Sequence, residues 1–109
     1  MAEYELIDAP AEGDFAVRLT DDALEPWFKA GETVFLLRSV ELRDGDLGLF
    51  YSREGMVFRQ YCRDVRGTVY LFAPDRRRKD RDLVIEAEDE MPVCYGKVLL
   101  RRPIPLPAD

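Results

Sequence analysis

Seven short runs along the chain either alternate apolar with polar residues or concentrate β-branched and aromatic ones: residues 15–19, 33–38, 47–52, 56–62, 68–72, 82–86 and 93–100. Turn signals separate them. Arg53, Glu54 and Gly55 make a tight hairpin connection; Asp64 to Gly67 make a second; Asp44, Gly45 and Asp46 make a turn before a strand. Runs this short predict an all-β (mainly β) domain, a meander of antiparallel strands joined by hairpins. The one helical expectation is a short helix or 3₁₀ turn within residues 21–30, where two aspartates precede Ala23 and Leu24 and where Pro26 restricts its length.

The ends read differently from the middle. Residues 1–14 hold only Leu6 and Ile7 as an apolar pair before Pro10 and Gly13, the pattern of an arm or linker. Residues 15–102 are the folded domain, and residues 103–109, with Pro103, Pro105 and Pro107, read as an extended tail. At 109 residues the chain is long enough for one core and too short for two.

Charge and missing residue types narrow the chemistry. With 16 basic against 22 acidic residues the net charge is −6, which argues against direct nucleic-acid binding. Arg76, Arg77, Arg78, Lys79 and Arg81 form a local basic run, but it lacks interleaved aromatics and is followed by Glu86, Glu88, Asp89 and Glu90, so a solvated loop is expected. No apolar stretch reaches the length of a membrane helix, and the first eight residues carry three acids and no base; no membrane or export role is expected, and the location reads as cytoplasmic. The absence of histidine excludes His-based triads and His-containing zinc sites. Cys62 and Cys94 are expected as reduced, largely buried thiols, with a disulfide only in an oxidising compartment. Asp44 and Asp46 resemble the start of a calcium loop, but Gly48 and Gly55 stand where further ligands belong. No metal and no cofactor is indicated.

Several stretches, in order, fit one family pattern. Asp21-Asp22-Ala23-Leu24-Glu25-Pro26 resembles the Gly-Asp-Ser-Met-Glu-Pro motif of the LexA-like self-cleaving repressors, the UmuD-type proteins and, more distantly, the signal peptidases. Phe15-Ala16-Val17-Arg18-Leu19 resembles the strand that leads into it, and Ala30-Gly31-Glu32-Thr33-Val34 the turn and strand that follow. Leu42 to Gly48 is similar to the next turn and strand, Met56 to Tyr61 to the strand that carries the family lysine, and Tyr95 to Leu99 to the closing strand. The resemblance spans roughly residues 14–101 and implies a fold of short, strongly bent antiparallel strands with one short helical turn.

It also implies a serine–lysine dyad, in which a hydroxyl attacks a peptide carbonyl and a lysine kept neutral by burial takes the proton. Here the serine position is Ala23 and the lysine position is Arg59. Alanine offers no nucleophile, and a guanidinium stays protonated at any working pH. Thr20 is displaced along the chain and Lys97 matches no catalytic position of the family. Arg59 shares a strand face with Val57 and Tyr61; if that face is buried, Asp21, Asp22 or Glu25 are the expected carboxylate partners. Ala23 is compatible with natural loss of the site or with an introduced change.

Three functional expectations follow from the resemblance. The first is an inactive peptidase-like domain that serves as a homodimerisation or interaction module of a bacterial transcriptional regulator, with Tyr95, Val98, Leu99, Leu100 and Ile104 at the interface. The second is a dyad peptidase silenced at Ala23. The third is a groove lined by Asp22, Leu24, Glu25, Pro26 and Trp27 that binds a peptide or protein partner without hydrolysing it, with Trp27 and Phe28 as apolar walls. The upstream segment offers only Ala11, Glu12 and Gly13 where self-cleaving relatives carry a scissile bond, and the chain is expected to be either a C-terminal piece or a domain encoded alone.

Overall fold

The computed structural model describes residues 4–7 (backbone), 13–38, 41–53 and 55–107. Eight strands follow one another: β1 (Tyr4–Ile7), β2 (Phe15–Leu19), β3 (Thr33–Leu37), β4 (Leu47–Ser52), β5 (Gly55–Arg63), β6 (Val69–Phe72), β7 (Leu83–Ile85) and β8 (Cys94–Val98). They form a single sheet in the order β1-β2-β3-β8-β4-β5-β6-β7. Every pairing is antiparallel. All seven expected runs are present within one or two residues of their predicted bounds. The strand over Tyr4–Ile7 differs from expectation: part of the supposed arm pairs with β2, Leu6 opposite Val17 and Ile7 opposite Ala16.

Long β5 organises the second half of the sheet, pairing β4 through residues 55–60 and β6 through residues 60–63. Its side chains alternate between two separate cores, as a pleated strand buried on both faces requires. Phe58 joins Phe15, Val17, Leu24, Leu36, Leu49 and Val98 on one face. Val57 packs with Phe50, Val69 and Leu71 on the other. Gln60, 2% exposed, belongs to the first face and spends its amide on main-chain oxygens: Nε2 donates to Ile104 O at 2.7 Å and to Gly45 O at 3.2 Å. That side chain clips the proline-rich tail onto the turn that opens β4.

The helical expectation at residues 21–30 is met by a single turn: residues 21–28 form turns and bends, with Trp27 and Phe28 N–H groups donating to Leu24 O, and the chain goes no further into a helix. The helical segment that was not expected is the 3₁₀ piece η1 (Arg76–Arg81), inside the basic run expected as a loop. Asp75 supplies the reason: its side chain accepts from Arg77 N–H at 3.0 Å and caps the turn.

β8 lies between β3 and β4, so its backbone groups are used on both sides: Leu36 faces Val98 across one ladder, and Gly48 faces Lys97 across the other. Close packing at this junction needs glycine. A Cβ built on Gly96 would stand 2.8 Å from Phe15 Cζ and 3.2 Å from Leu37 O, inside both the apolar core and the backbone. Gly96→Ala is therefore expected to destabilise the fold by about 1–3 kcal/mol, measured by chemical denaturation; an unchanged midpoint would contradict this close approach.

Candidate functional site

Ala23 lies in the turn between β2 and β3, half-buried, and its N–H donates to Asp21 Oδ1 at 2.9 Å. Leu24, next along, is fully inside the first core and anchors the turn. Asp22 points elsewhere. Its carboxylate accepts from Arg78 Nη2 at 2.7 Å, and the guanidinium holds the carboxyl below its ordinary range, while Asp22 raises Arg78 in turn. Glu25 is half-buried, and Pro26 and Trp27 are exposed.

Arg59 sits on the same face of β5 as Val57, and that face is buried: Arg59 is 6% exposed. Its Nη1 donates to Phe58 O at 2.7 Å and its Nε to Arg81 O at 3.3 Å. Of the carboxylates expected beside it, Asp22 accepts from Arg78 and Asp21 from the Ala23 N–H. Carbonyl oxygens at fixed distances suit the guanidinium, whose planar donors can reach its own strand and a neighbouring segment at once.

The segment that meets Arg59 was missed as a site element. Residues 74–82 leave the end of β6, run through η1 and return to β7, and three of their four arginines are engaged by acids. Arg76 makes a two-pronged pair with Asp82 at 2.8 and 3.0 Å, Arg77 one with Asp75 at 3.0 and 2.8 Å, and Arg78 reaches Asp22. Asp82 also accepts from Ala73 N–H at 2.7 Å. Three charges of the basic run are thus paired with carboxylates, two within the segment and one on the Ala23 turn. The available signal was the interleaving of Asp75, Asp80 and Asp82 with the arginines.

Between the turn and this segment lies a cleft of about 400 Å³, lined by Pro26, Trp27, Pro74, Asp75, Arg76 and Arg77. Trp27 remains 42% exposed there while its Nε1 donates to Pro74 O at 3.3 Å. Phe28 instead packs against the first core. A larger hollow of about 590 Å³ lies between residues 43–46, the end of β8 and the tail, and holds the Lys97–Asp46 ion pair at 3.5 Å. Asp44 and Asp46 accept backbone N–H groups of Arg63 and Arg43. Among the described residues no group of three or more His, Cys, Asp or Glu is placed to hold a metal ion.

The residues expected at a dimer interface separate. Val98 and Ile104 are core residues, 0% and 5% exposed, and Leu99 and Leu100 are half-buried. Only Tyr95 offers substantial surface, at 46%. Because β8 is internal to the sheet, pairing of its edge with a second copy is not available in this arrangement. Cys94 is exposed rather than buried and Cys62 is half-buried; both are free, and burial pushes both thiols above their ordinary value, so neither is an activated nucleophile.

The domain is an antiparallel β sheet with a sharp turn at Ala23 and a buried guanidinium at Arg59 on β5. A family profile described as Peptidase S24-like matches residues 2–99, and the chain belongs to that family. No curated protein and no solved structure matches it. The family places the resemblance to LexA-like and UmuD-like proteins on firm ground.

The Asp75 carboxyl is lowered from 3.8 to about 2, chiefly by hydrogen bonds from the Arg77 side chain. A folded value below the unfolded one means that this carboxylate stabilises the fold fully above the unfolded pKa, and that the contribution fades as pH falls towards 2. Asp75→Asn keeps a capping oxygen but removes the titration. It is expected to flatten the fall of unfolding free energy between pH 4 and pH 2, the window set by 3.8 and about 2, in urea titrations; identical slopes would contradict this.

Proposed function

We propose that this chain is a non-hydrolysing S24-like domain that acts by binding, as a homodimerisation or interaction module of a bacterial transcriptional regulator in the cytoplasm. The observation that carries the reading is Arg59. A permanently charged guanidinium, buried and hydrogen-bonded to two carbonyl oxygens, stands on the strand that carries the base in the resembled family, and the position of the attacking hydroxyl is Ala23. Proton abstraction fails at one position and nucleophilic attack at the other. Loss at both positions favours a domain retained for its surface over a peptidase silenced by a single change.

The surface that fits this role lies where β4 ends and β8 begins. Tyr51 N–H donates to Val93 O at 2.9 Å, which brings Tyr51, 56% exposed, beside Val93, 57% exposed. Met91 and Tyr95, at 38% and 46%, flank Val93 along the same stretch. Apolar side chains concentrated this way on an acidic protein mark a contact surface. The side chains, rather than a strand edge, would make the contact, since β8 is already paired on both sides. No helix among the described residues is long and apolar enough to cross a membrane.

Two measurements check this. Ala23→Ser, and Ala23→Ser combined with Arg59→Lys, are expected to keep their intact mass on prolonged incubation alone or with a linker peptide; cleavage by the double variant would instead identify a silenced peptidase, and cleavage by Ala23→Ser alone would contradict the role assigned to Arg59. The parent chain is expected to sediment as a dimer and Tyr95→Asp as a monomer, with the dissociation constant raised at least about tenfold. A parent that stays monomeric at high concentration would remove the self-association arm of the reading.

A further inference from the structure

The sheet is open, and its two edges differ. β1 and β7 are the outermost strands, and among the described residues no strand pairs with the outer side of either. Alternate residues of an edge strand turn their N–H and C=O groups away from the sheet, where a further strand can take them. β1 carries Glu5 and is bounded in sequence by Glu3 and Asp8, acids alone, so a copy of itself would meet like charge there. β7 is different because its two ends carry opposite charges.

Lys79 and Arg81 precede β7, and Glu86, Glu88 and Glu90 follow it, all of them exposed. Charges close by are already engaged. Arg76, Arg77 and Arg78 are held by Asp82, Asp75 and Asp22, and the Asp89 carboxylate accepts from Glu86 N–H at 3.2 Å, closing the turn after the strand. By contrast, among the described residues no ion pair involves Lys79, Arg81, Glu86, Glu88 or Glu90. Between these ends the strand is apolar, Leu83-Val84-Ile85, and Val84 is 57% exposed.

We propose that the free edge of β7 docks β7 of a second copy, antiparallel about a two-fold axis, and that the unpaired charges at its ends select that orientation. With Val84 opposite Val84 of the second copy, Leu83 stands opposite Ile85, and the basic end of each strand lies beside the acidic end of the other. A parallel arrangement would set base beside base and acid beside acid. One like-charged match remains, Asp82 with Glu86 of the second copy, and Arg76 already holds both oxygens of that Asp82. The strand has three residues and the ion pairs would be open to solvent, so this contact is weaker than the one assigned to the β4–β8 surface. It is also separate from it, since β4, β5 and β6 stand between β8 and β7 in the sheet.

The test uses the full chain carrying Tyr95→Asp, so that the β4–β8 surface takes no part, followed by sedimentation equilibrium. Tyr95→Asp, monomeric where the parent pairs, is expected to self-associate only towards about 1 mM. Lys79→Glu with Arg81→Glu makes a chain acidic at both ends of β7, and Glu88→Lys with Glu90→Lys makes one basic at both ends. Each reversed chain alone is expected to associate at least about tenfold more weakly, whereas their equimolar mixture pairs at least as tightly as Tyr95→Asp and loosens with added salt. Val84→Lys in either reversed chain is expected to abolish the mixed pair, which ties it to the strand and not to charge alone. A Tyr95→Asp chain that stays monomeric throughout would overturn the proposal and leave the edge to a strand of another protein. Association that survives both reversals, a mixture no tighter than its components, or a mixed pair indifferent to Val84→Lys would overturn it equally. Every substituted side chain is exposed, and far-ultraviolet circular dichroism checks each fold. None of these outcomes depends on whether the parent pairs through Tyr95 or cleaves a peptide, so this inference and the reading of the domain as a binding module fail separately.

Discussion

A guanidinium taken out of water has to place its donors on oxygens, and at Arg59 that requirement shapes everything around it. The side chain projects from β5 onto the face that also buries Val57. Its donors reach Phe58 O on its own strand and Arg81 O on the neighbouring segment. A buried cation so satisfied fixes the partner as firmly as the partner fixes it. The segment from Pro74 to Asp82 is held against the sheet in consequence, and the charges of its arginines can then meet Asp75, Asp82 and Asp22 at short range.

That arrangement pairs three arginines of a strongly basic stretch with carboxylates on an acidic protein. One of those carboxylates, Asp22, belongs to the turn that carries Ala23. The turn, the segment and β5 thus form a closed set of contacts, made by fixed charges and carbonyl oxygens.

The strands were legible because their alternation is enforced by burial. Along β5, Val57 and Arg59 serve one face while Phe58 and Gln60 serve the other, and the sequence shows that period directly. The turns were legible from Asp44, Gly45, Asp64 and Gly67. Tyr4–Ile7 was not, because an edge strand is held by backbone pairing to β2 and needs little pattern of its own. Neither was η1: its stability comes from Asp75 capping and from pairs with acids on either side, a tertiary effect that propensity does not register. The positions of Ala23 and Arg59 came from resemblance, and their surroundings came only from the structure. The structure places Val98 and Ile104 in the core; apolar character marks a core residue and a contact residue alike.

The central claim is that Arg59 is a structural anchor and not a worn remnant of a catalytic base. Its most direct test is equilibrium unfolding of Arg59→Lys. A lysine keeps the charge but cannot span Phe58 O and Arg81 O with a planar fork, so the variant is expected to lose about 1–3 kcal/mol and to expose the segment after Pro74 to trypsin. A variant as stable as the parent, or more stable, with unchanged proteolysis, would contradict the account.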